Sequence, residues 1–217
     1  MLSLNYQQAK EHGLQFIGPD AETIELMGDK IAGRTTAERH GVPVVPGSHA
    51  SLDDAETAIR EANLIGYPLL IKATGGGGGR GMRVVASESE LHSAISQAQA
   101  EAQSAFSNPV VYLERYFDNV HHVEVQVFGD THGNVIHLGE RDCSTQRRHQ
   151  KLVEESPSSA ISKSVRAKLC EDAQRLALQM GYASAGTVEF IYDRNTQQYY
   201  FIEMNTRIQV EHPVTEA

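Results

Sequence analysis

The chain has 217 residues, is 40% hydrophobic and 22% charged, and carries a formal net charge of −9. That length holds one large domain or two small ones, and the composition is that of a soluble globular protein. The negative balance argues against nucleic acid or an anionic membrane as partner, and no signal peptide or transmembrane run stands out. Two cysteines, Cys143 and Cys170, build no disulfide framework and suit a reducing compartment.

In chain order, residues 14–17 read as a short strand closed by Gly18-Pro19. Residues 21–40 have helical spacing up to the stop signal Gly41-Val42-Pro43, and Met27-Gly28-Asp29-Lys30 puts a lysine on that helix. Strands at 44–46 and 69–71 flank a helix over 52–65, with Ser51 as its N-cap. A strand at 82–86, a helix over 90–106 and a strand over 110–116 complete a compact α+β region.

Inside that region lies Lys72-Ala73-Thr74-Gly75-Gly76-Gly77-Gly78-Gly79-Arg80-Gly81-Met82. Consecutive glycines cost backbone entropy on ordering, so a fold keeps them where backbone must approach something closely. Strand, glycine loop, strand makes a flap whose N–H groups can cover phosphates, with Lys72 and Arg80 as cations. The bland alternative is a flexible linker, which two apolar runs with a lysine at the lip argue against. A P-loop would need Lys-Ser or Lys-Thr leading into a helix, and a kinase loop has its lysine after the glycines.

Further on, residues 122–128 alternate, with Val123, Val125 and Val127 on one face and His122, Glu124 and Gln126 on the other. This is a half-buried strand with one polar face, and a turn at 129–134 returns it as a strand over 135–139. Arg141 to Lys151 forms a local basic patch without interleaved aromatics, which suits a small anion better than nucleic acid. Cys143 within it reads as a packing residue. An amphipathic helix over 164–180 precedes a hairpin of 187–192 and 199–205, and a helix begins at 213–217.

With the hairpin turn at Thr196, Glu189 faces Glu203 and Tyr192 faces Tyr200. Two carboxylates directly opposite repel, and a divalent cation removes the repulsion. An all-oxygen set of Glu189, Glu203 and Asn205 suits Mg²⁺ or Mn²⁺ rather than zinc; the alternative is a solvated pair on an exposed face. In the polar loop that follows, Arg207 and Glu211 could hold an oxyanion and take its proton, or form a surface salt bridge.

Taken together, Met27 to Lys30, Lys72 to Met82, Glu114-Arg115-Tyr116-Phe117, His121 to Glu124, Arg141 to Lys151 and Phe201 to Glu216 resemble biotin carboxylase. This is the ATP-grasp part of biotin-dependent acyl-CoA, pyruvate and urea carboxylases, and the resemblance runs over essentially the whole chain. It implies an α+β ATP-grasp fold: a small glycine-loop lid subdomain and part of a larger antiparallel-sheet subdomain. Residues 1–18 would end a preceding Rossmann-like subdomain, 19–43 a helical linker, 44–116 the lid, and 117–217 a partial body with the metal and bicarbonate site. The chain would be a central fragment of a longer enzyme.

By the same resemblance, Lys30, Lys72 and His122 would contact ATP, and Gly78 and Gly79 would lie over its phosphates. Glu114, Arg115, Tyr116 and Phe117 would hold the adenine edge and ribose, with Gln146 and His149 also lining the nucleotide site. Glu189, Glu203 and Asn205 would hold two Mg²⁺ or Mn²⁺ ions. Lys151, Arg207, Gln209, Val210 and Glu211 would grip bicarbonate, with Lys151, Arg207 and Glu211 catalytic: Glu211 as base, Arg207 stabilising the biotin enolate. The implied reaction is ATP-dependent carboxylation of biotin through carboxyphosphate. Implied partners are bicarbonate, a biotin carboxyl carrier domain and a carboxyltransferase, in a full-length homo-oligomer of the cytoplasm, or of the mitochondrial matrix in a eukaryote. Neither nucleic acid nor membrane is implied. The alternatives are a carbamoyl-phosphate synthetase-like ligase and a nucleotide-binding but catalytically incomplete fragment.

Overall fold

A computed structural model of the protein describes residues 2–48, 52, 55–75, 81–147 and 150–217. Gly78, Gly79, His149 and the expected Ser51 cap lie outside the described residues. The elements in order are α1 (Leu2–Glu11), α2 (Ala21–Gly28), α3 (Lys30–Arg39), α4 (Ala55–Ile65), β1 (Leu69–Ala73), β2 (Arg83–Val85), α5 (Glu88–Phe106) and β3 (Val111–Arg115). They continue with β4 (Val120–Gly129), β5 (Val135–Arg147), β6 (Gln150–Glu155), α6 (Lys163–Gln179), β7 (Ser184–Asp193), β8 (Gln198–Asn205) and α7 (His212–Glu216). They form two compact units, one of residues 45–118 with 147–150 and the other of the remainder.

In the smaller unit, β1 pairs antiparallel with both β2 and β3, giving the order β2-β1-β3. Strand alternation puts Leu69, Ile71 and Ala73 on one face. They meet Ala58 and Ala62 of α4 and Leu91, Ala98 and Ala102 of α5 in one buried cluster. The spacing of Leu91, Ala98 and Ala102 keeps a single stripe of α5 on the sheet. Leu70 and Lys72 take the opposite face. The expected strands on either side of the glycine run are β1 and β2; residues 76–80 of that run, Arg80 included, lie outside the described residues.

The larger unit has a five-stranded sheet in the order β6-β5-β4-β7-β8. Val123, Val125 and Val127 face Leu169, Ala173, Leu176 and Ala177 of α6 across one apolar layer. Asp172 of α6 accepts the Tyr199 hydroxyl at 2.7 Å. Arg175 lies 2.7 Å from Asp172 and donates to the carbonyls of His40 and Gly41, both at 3.1 Å, so α6 also ties down the end of α3.

Several expectations change. Residues 14–17 form no strand, and Leu14 and Ile17 are exposed; no neighbouring strand among the described residues offers them a ladder. The expected helix over 21–40 is two helices. Asp29 breaks it, because its carboxylate accepts the N–H groups of Ile31 and Ala32, each at 2.9 Å, and so caps α3 with Lys30 as its first residue. Residues 44–46 give only a bridge from Val44 to Phe201, since Pro43 and Pro46 lack the N–H a ladder needs. Sequence patterning missed α1 and β6, and β5 runs on through Arg147 to absorb most of the basic patch.

Candidate active site

The site in the larger unit is built on the sheet face opposite α6. Glu189 pairs with Glu203 as the sequence suggests, but Tyr192 pairs with Tyr199 rather than Tyr200. A β-bulge beside Glu189 accounts for the difference, since it adds one residue to β8 between the two pairs. Thr187 pairs with Asn205, and Asn205 Nδ2 donates to Glu189 Oε1 at 2.7 Å. Lys30 Nζ stands 3.4 Å from Glu203 Oε2, and His122 Nε2 stands 3.7 Å from Glu189 Oε2. Gln146 Nε2 lies 2.6 Å from His122 Nδ1, which fixes the ring.

Lys151 is the hub. Its ammonium reaches Glu124 Oε2, Glu189 Oε1 at 3.2 Å and Glu211 Oε1 at 3.0 Å. An ammonium has three protons, and three carboxylates take them. Burial alone would pull the Lys151 pKa down, but the charges of Glu189 and Glu124 outweigh it and push it up, so the group stays protonated. Glu211 is pulled the other way from its burial: its own backbone N–H and Lys151 hold it below the usual carboxylate range. Glu189 is raised to about 7 by burial, opposed by Lys151 and reinforced by Glu203 and Glu124. Two close carboxylates, one of them reluctant to ionise, fit a divalent cation with oxygen ligands, and Asn205 adds an amide oxygen.

The polar face of β4 is not solvated. Glu124 and Gln126 are both fully buried, as is Arg141 at 1% exposure. Arg141 Nε donates to Glu124 Oε1 at 2.7 Å, and Nη1 to Gln126 Oε1 at 3.0 Å and Thr215 Oγ1 at 2.7 Å. The first cation of the basic patch is therefore committed to the fold and not open to an anion. Cys143, also buried, has its thiol pushed far up by burial and then by Glu124, as a packing residue would. Glu154 on β6 brings a buried carboxylate near Glu124 and Cys143, and its Oε2 has no hydrogen-bond partner among the described residues. Its carboxyl is raised to about 7 by burial and by Glu124.

Other expected residues stand apart from the hub. Arg207 is exposed and, among the described residues, donates only to the Ile208 carbonyl, at 3.2 Å, while Val210 is 94% exposed. Gln209 Oε1 is buried without a hydrogen-bond partner among the described residues. In the smaller unit, Lys72 Nζ lies 2.9 Å from Glu114 Oε2, with both side chains buried, and 5.8 Å from the centre of the Tyr112 ring. The N–H groups of Arg115 and Tyr116 donate to the carbonyls of Pro46, at 2.7 Å, and Pro68, at 3.0 Å, which orders the backbone leading to Phe117. Sequence reasoning gave no role to Glu124 or Glu154, and it counted Arg141 only as a cation of the basic patch. The one signal was the alternation His122, Glu124, Gln126: an acid in mid-strand needs either water or a buried cation.

Residues 29–217 match the family "Carbamoyl-phosphate synthase L chain, ATP binding domain", and the chain belongs to that family. Among curated relatives it is 55% identical over 207 residues to Biotin carboxylase 1 of Bacillus subtilis (strain 168), covering 95% of this chain and 46% of that protein. It is 52% identical over 211 residues to biotin carboxylase of Pseudomonas aeruginosa, covering 97% and 46%. The chain thus spans about half the length of the curated relatives it matches. Its fold superposes on the crystal structure of a biotin carboxylase–β,γ-ATP complex from Campylobacter jejuni with a TM-score of 0.93 at 51% identity, covering 99% of this chain and 49% of that one. It also matches the biotin carboxylase domain dimer of Hydrogenobacter thermophilus 2-oxoglutarate carboxylase, in complex with MgADP, ADP and bicarbonate, at TM-score 0.92 and 52% identity, covering 97% and 46%. The fold is the α+β ATP-grasp fold that the motifs implied.

Proposed function

We propose that this chain carries the nucleotide and bicarbonate machinery of a biotin carboxylase, which carboxylates biotin on a carrier protein at the expense of ATP. The observation that carries the reading is the Lys151 hub: one cation shared by Glu124, by the metal-type carboxylate Glu189 and by the ionised Glu211. The relatives favour biotin over a carbamoyl-phosphate-forming ligase, since those at 50–55% identity are named biotin or pyruvate carboxylases.

Glu189, Glu203 and Asn205 would hold Mg²⁺ or Mn²⁺, two ions on the family pattern. Bound there, the ions would neutralise phosphoryl oxygens of the nucleotide. Lys30 and His122, beside Glu203 and Glu189, would bind anionic groups of ATP, and on the family pattern Lys72 and the glycine loop would do so too. Glu114, Arg115, Tyr116, Phe117, Gln146 and His149 would line the nucleotide. Bicarbonate is a poor nucleophile until deprotonated. Glu211 is ionised and takes that proton, Lys151 holds the resulting anion, and Gln209 and the Val210 backbone complete its cradle. Arg207 has no carboxylate partner among the described residues, so it can turn to carboxyphosphate and then to the biotin enolate. On the family pattern, closure of the glycine loop would keep water from the labile intermediate. A biotin carboxyl carrier and a carboxyltransferase would be partners of the whole enzyme, a homo-oligomer.

The test is ADP formation that depends on bicarbonate and is stimulated by free biotin, on this chain and on its Arg207→Ala and Glu211→Gln variants. Stimulated turnover lost in both variants supports the reading. Turnover indifferent to bicarbonate, or undiminished in Glu211→Gln, overturns it.

A further inference from the structure

The sheet of the larger unit carries a second polar network, on its other face. Val123 faces α6, so His121, two residues earlier on β4, takes that same face, as do Asp142, opposite Val123, and Ser144. Asp142 is buried, and the His121 side chain is 24% exposed. Among the described residues, this network meets the site through the main chain of His122. On that side the β4–β5 register ends with the pair Val123–Asp142. Just beyond it, His122 N–H donates to Ser144 Oγ at 3.0 Å, and the Cys143 carbonyl accepts from Gln146 Nε2 at 2.9 Å. Side chains thus take over the two groups that a continuing ladder would pair.

Counting donors places every proton in the network. Burial would raise the Asp142 carboxyl, but hydrogen bonds from Ser144 and Ser158 outweigh it and hold the group below the usual carboxylate range. As a carboxylate Asp142 only accepts. Among the described residues its four donors are Ser144 N at 3.0 Å, the Ser144 hydroxyl, Ser158 Oγ at 2.7 Å and His121 Nδ1 at 3.1 Å. The Ser144 proton therefore belongs to Asp142, which leaves Ser144 Oγ to accept. It does so from His122 N–H and from His121 Nδ1, both at 3.0 Å. His121 Nδ1 faces two acceptors, so it carries a proton whether the ring is neutral or charged. A bare Nδ1 would set its lone pair against two oxygens with no hydrogen between them.

We infer that Ser144 is a positioning residue: with its own proton committed to Asp142, its hydroxyl oxygen holds the main-chain N–H of His122 and the Nδ1–H of His121, and thereby fixes where the His122 ring stands in the site. The consequence for nucleotide binding rests on the biotin carboxylase reading; the proton assignment does not.

The hold matters because of where the His122 ring lies. Its Nδ1 is 2.6 Å from Gln146 Nε2 and its Nε2 is 3.7 Å from Glu189 Oε2. Ser144 grips the backbone of His122 and Gln146 grips its ring, so one short run of β5 references both. A misplacement of about 1 Å is enough to spoil alignment in a site of this kind. Asp142 is in turn tied to α6. Ser158 N donates to Glu140 Oε1 at 3.1 Å, and Arg166 of α6 pairs with Glu140 and reaches the Ser158 carbonyl at 2.7 Å. The chain of command runs from Arg166 and Glu140 through Ser158 and Asp142 to Ser144, and from there to His122. A hydroxyl that donates to a carboxylate is polarised into a better acceptor, which strengthens the last link.

The experiment joins imidazole and amide ¹⁵N NMR on uniformly labelled chain to calorimetric titration of MgATP, with His121→Gln to assign the His121 ring. In the wild type the neutral His121 ring is expected as its Nδ1–H tautomer, and the His122 amide is expected to exchange slowly. Ser144→Ala removes the acceptor; it should speed His122 amide exchange and weaken MgATP, each by about fivefold, the factor for one hydrogen bond. Ser144→Thr keeps the hydroxyl and suits a strand, so both quantities should return to within about twofold of the wild type. A His121 ring found as the Nε2–H tautomer in the folded wild type overturns the inference, and that readout needs no variant. So does a Ser144→Ala variant that loses thermal stability while its His122 amide and MgATP affinity stay unchanged, because that is a packing role alone. So does a folded Ser144→Thr variant that behaves as Ser144→Ala. A wild type that binds no MgATP, yet shows the expected tautomer and a His122 amide that responds to Ser144→Ala, counts against the biotin carboxylase reading and supports the positioning role.

Discussion

Replacing Lys151 by methionine removes the one cation that Glu124, Glu189 and Glu211 share, while keeping most of the side chain's volume. Breaking a buried pair by removing one partner costs about 3–5 kcal/mol. Lys151 keeps 21% of its side chain exposed and Glu211 14%, so water recovers part of the loss and about 2–4 kcal/mol is expected at pH 8. For a chain of this size that is a fall in Tm of roughly 4–16 °C. The pH dependence carries a definite sign. Burial already raises Glu189 to about 7, and Lys151 is the main influence opposing that rise. Without Lys151 its folded-state pKa climbs further, so below about pH 6 it binds a proton and the repulsion is relieved. The Lys151→Met penalty must therefore be smaller at pH 6 than at pH 8. Thermal unfolding followed by circular dichroism at both pH values measures this. A fall of less than about 2 °C at pH 8, or an equal fall at both, would refute the shared-cation account.

Glu154 gives a second pH test. Its folded pKa is raised from 4.5 to about 7, so the neutral form is favoured in the fold; that contribution is complete below pH 4.5 and is lost as pH rises through 7. Glu154→Gln should match the wild type in stability at pH 5 and exceed it by about 1–2 kcal/mol at pH 8, half exposure discounting the full shift, as read by urea unfolding. Cys143 and Cys170 are buried with thiols pushed up, Cys170 to about 12, so a thiol reagent at pH 8 should label neither until denaturant is added. Gly129→Ala would put a Cβ 1.9 Å from the Tyr182 carbonyl oxygen, and a loss of about 2 kcal/mol or more is expected on chemical unfolding.

What the sequence made legible follows from the range of each interaction. The pairing of β1 with β2 and of Glu189 with Glu203 depends on neighbours in sequence and could be counted along it. The shift of Tyr192 onto Tyr199 could not, because a β-bulge leaves no mark in period-two alternation. The break at Asp29 was written in Gly28-Asp29 but hidden by helical spacing that continues on both sides. Least legible was the core of the site. Arg141 reads as a member of a basic patch, yet the fold buries it against Glu124 and Gln126 of β4 and Thr187 of β7. Patterning reports which face a side chain takes, and long-range packing alone decides whether a charge on that face meets water or another charge.

The most direct test of the central reading is calorimetric titration of ATP into the chain with Mg²⁺ and with EDTA, for the wild type and for Glu189→Gln/Glu203→Gln. Binding that needs the divalent cation, and that weakens by at least about tenfold in the double variant, is the expected result. Equal affinity in EDTA, or in the double variant, would contradict the assignment of this carboxylate pair to the metal ions of a nucleotide site.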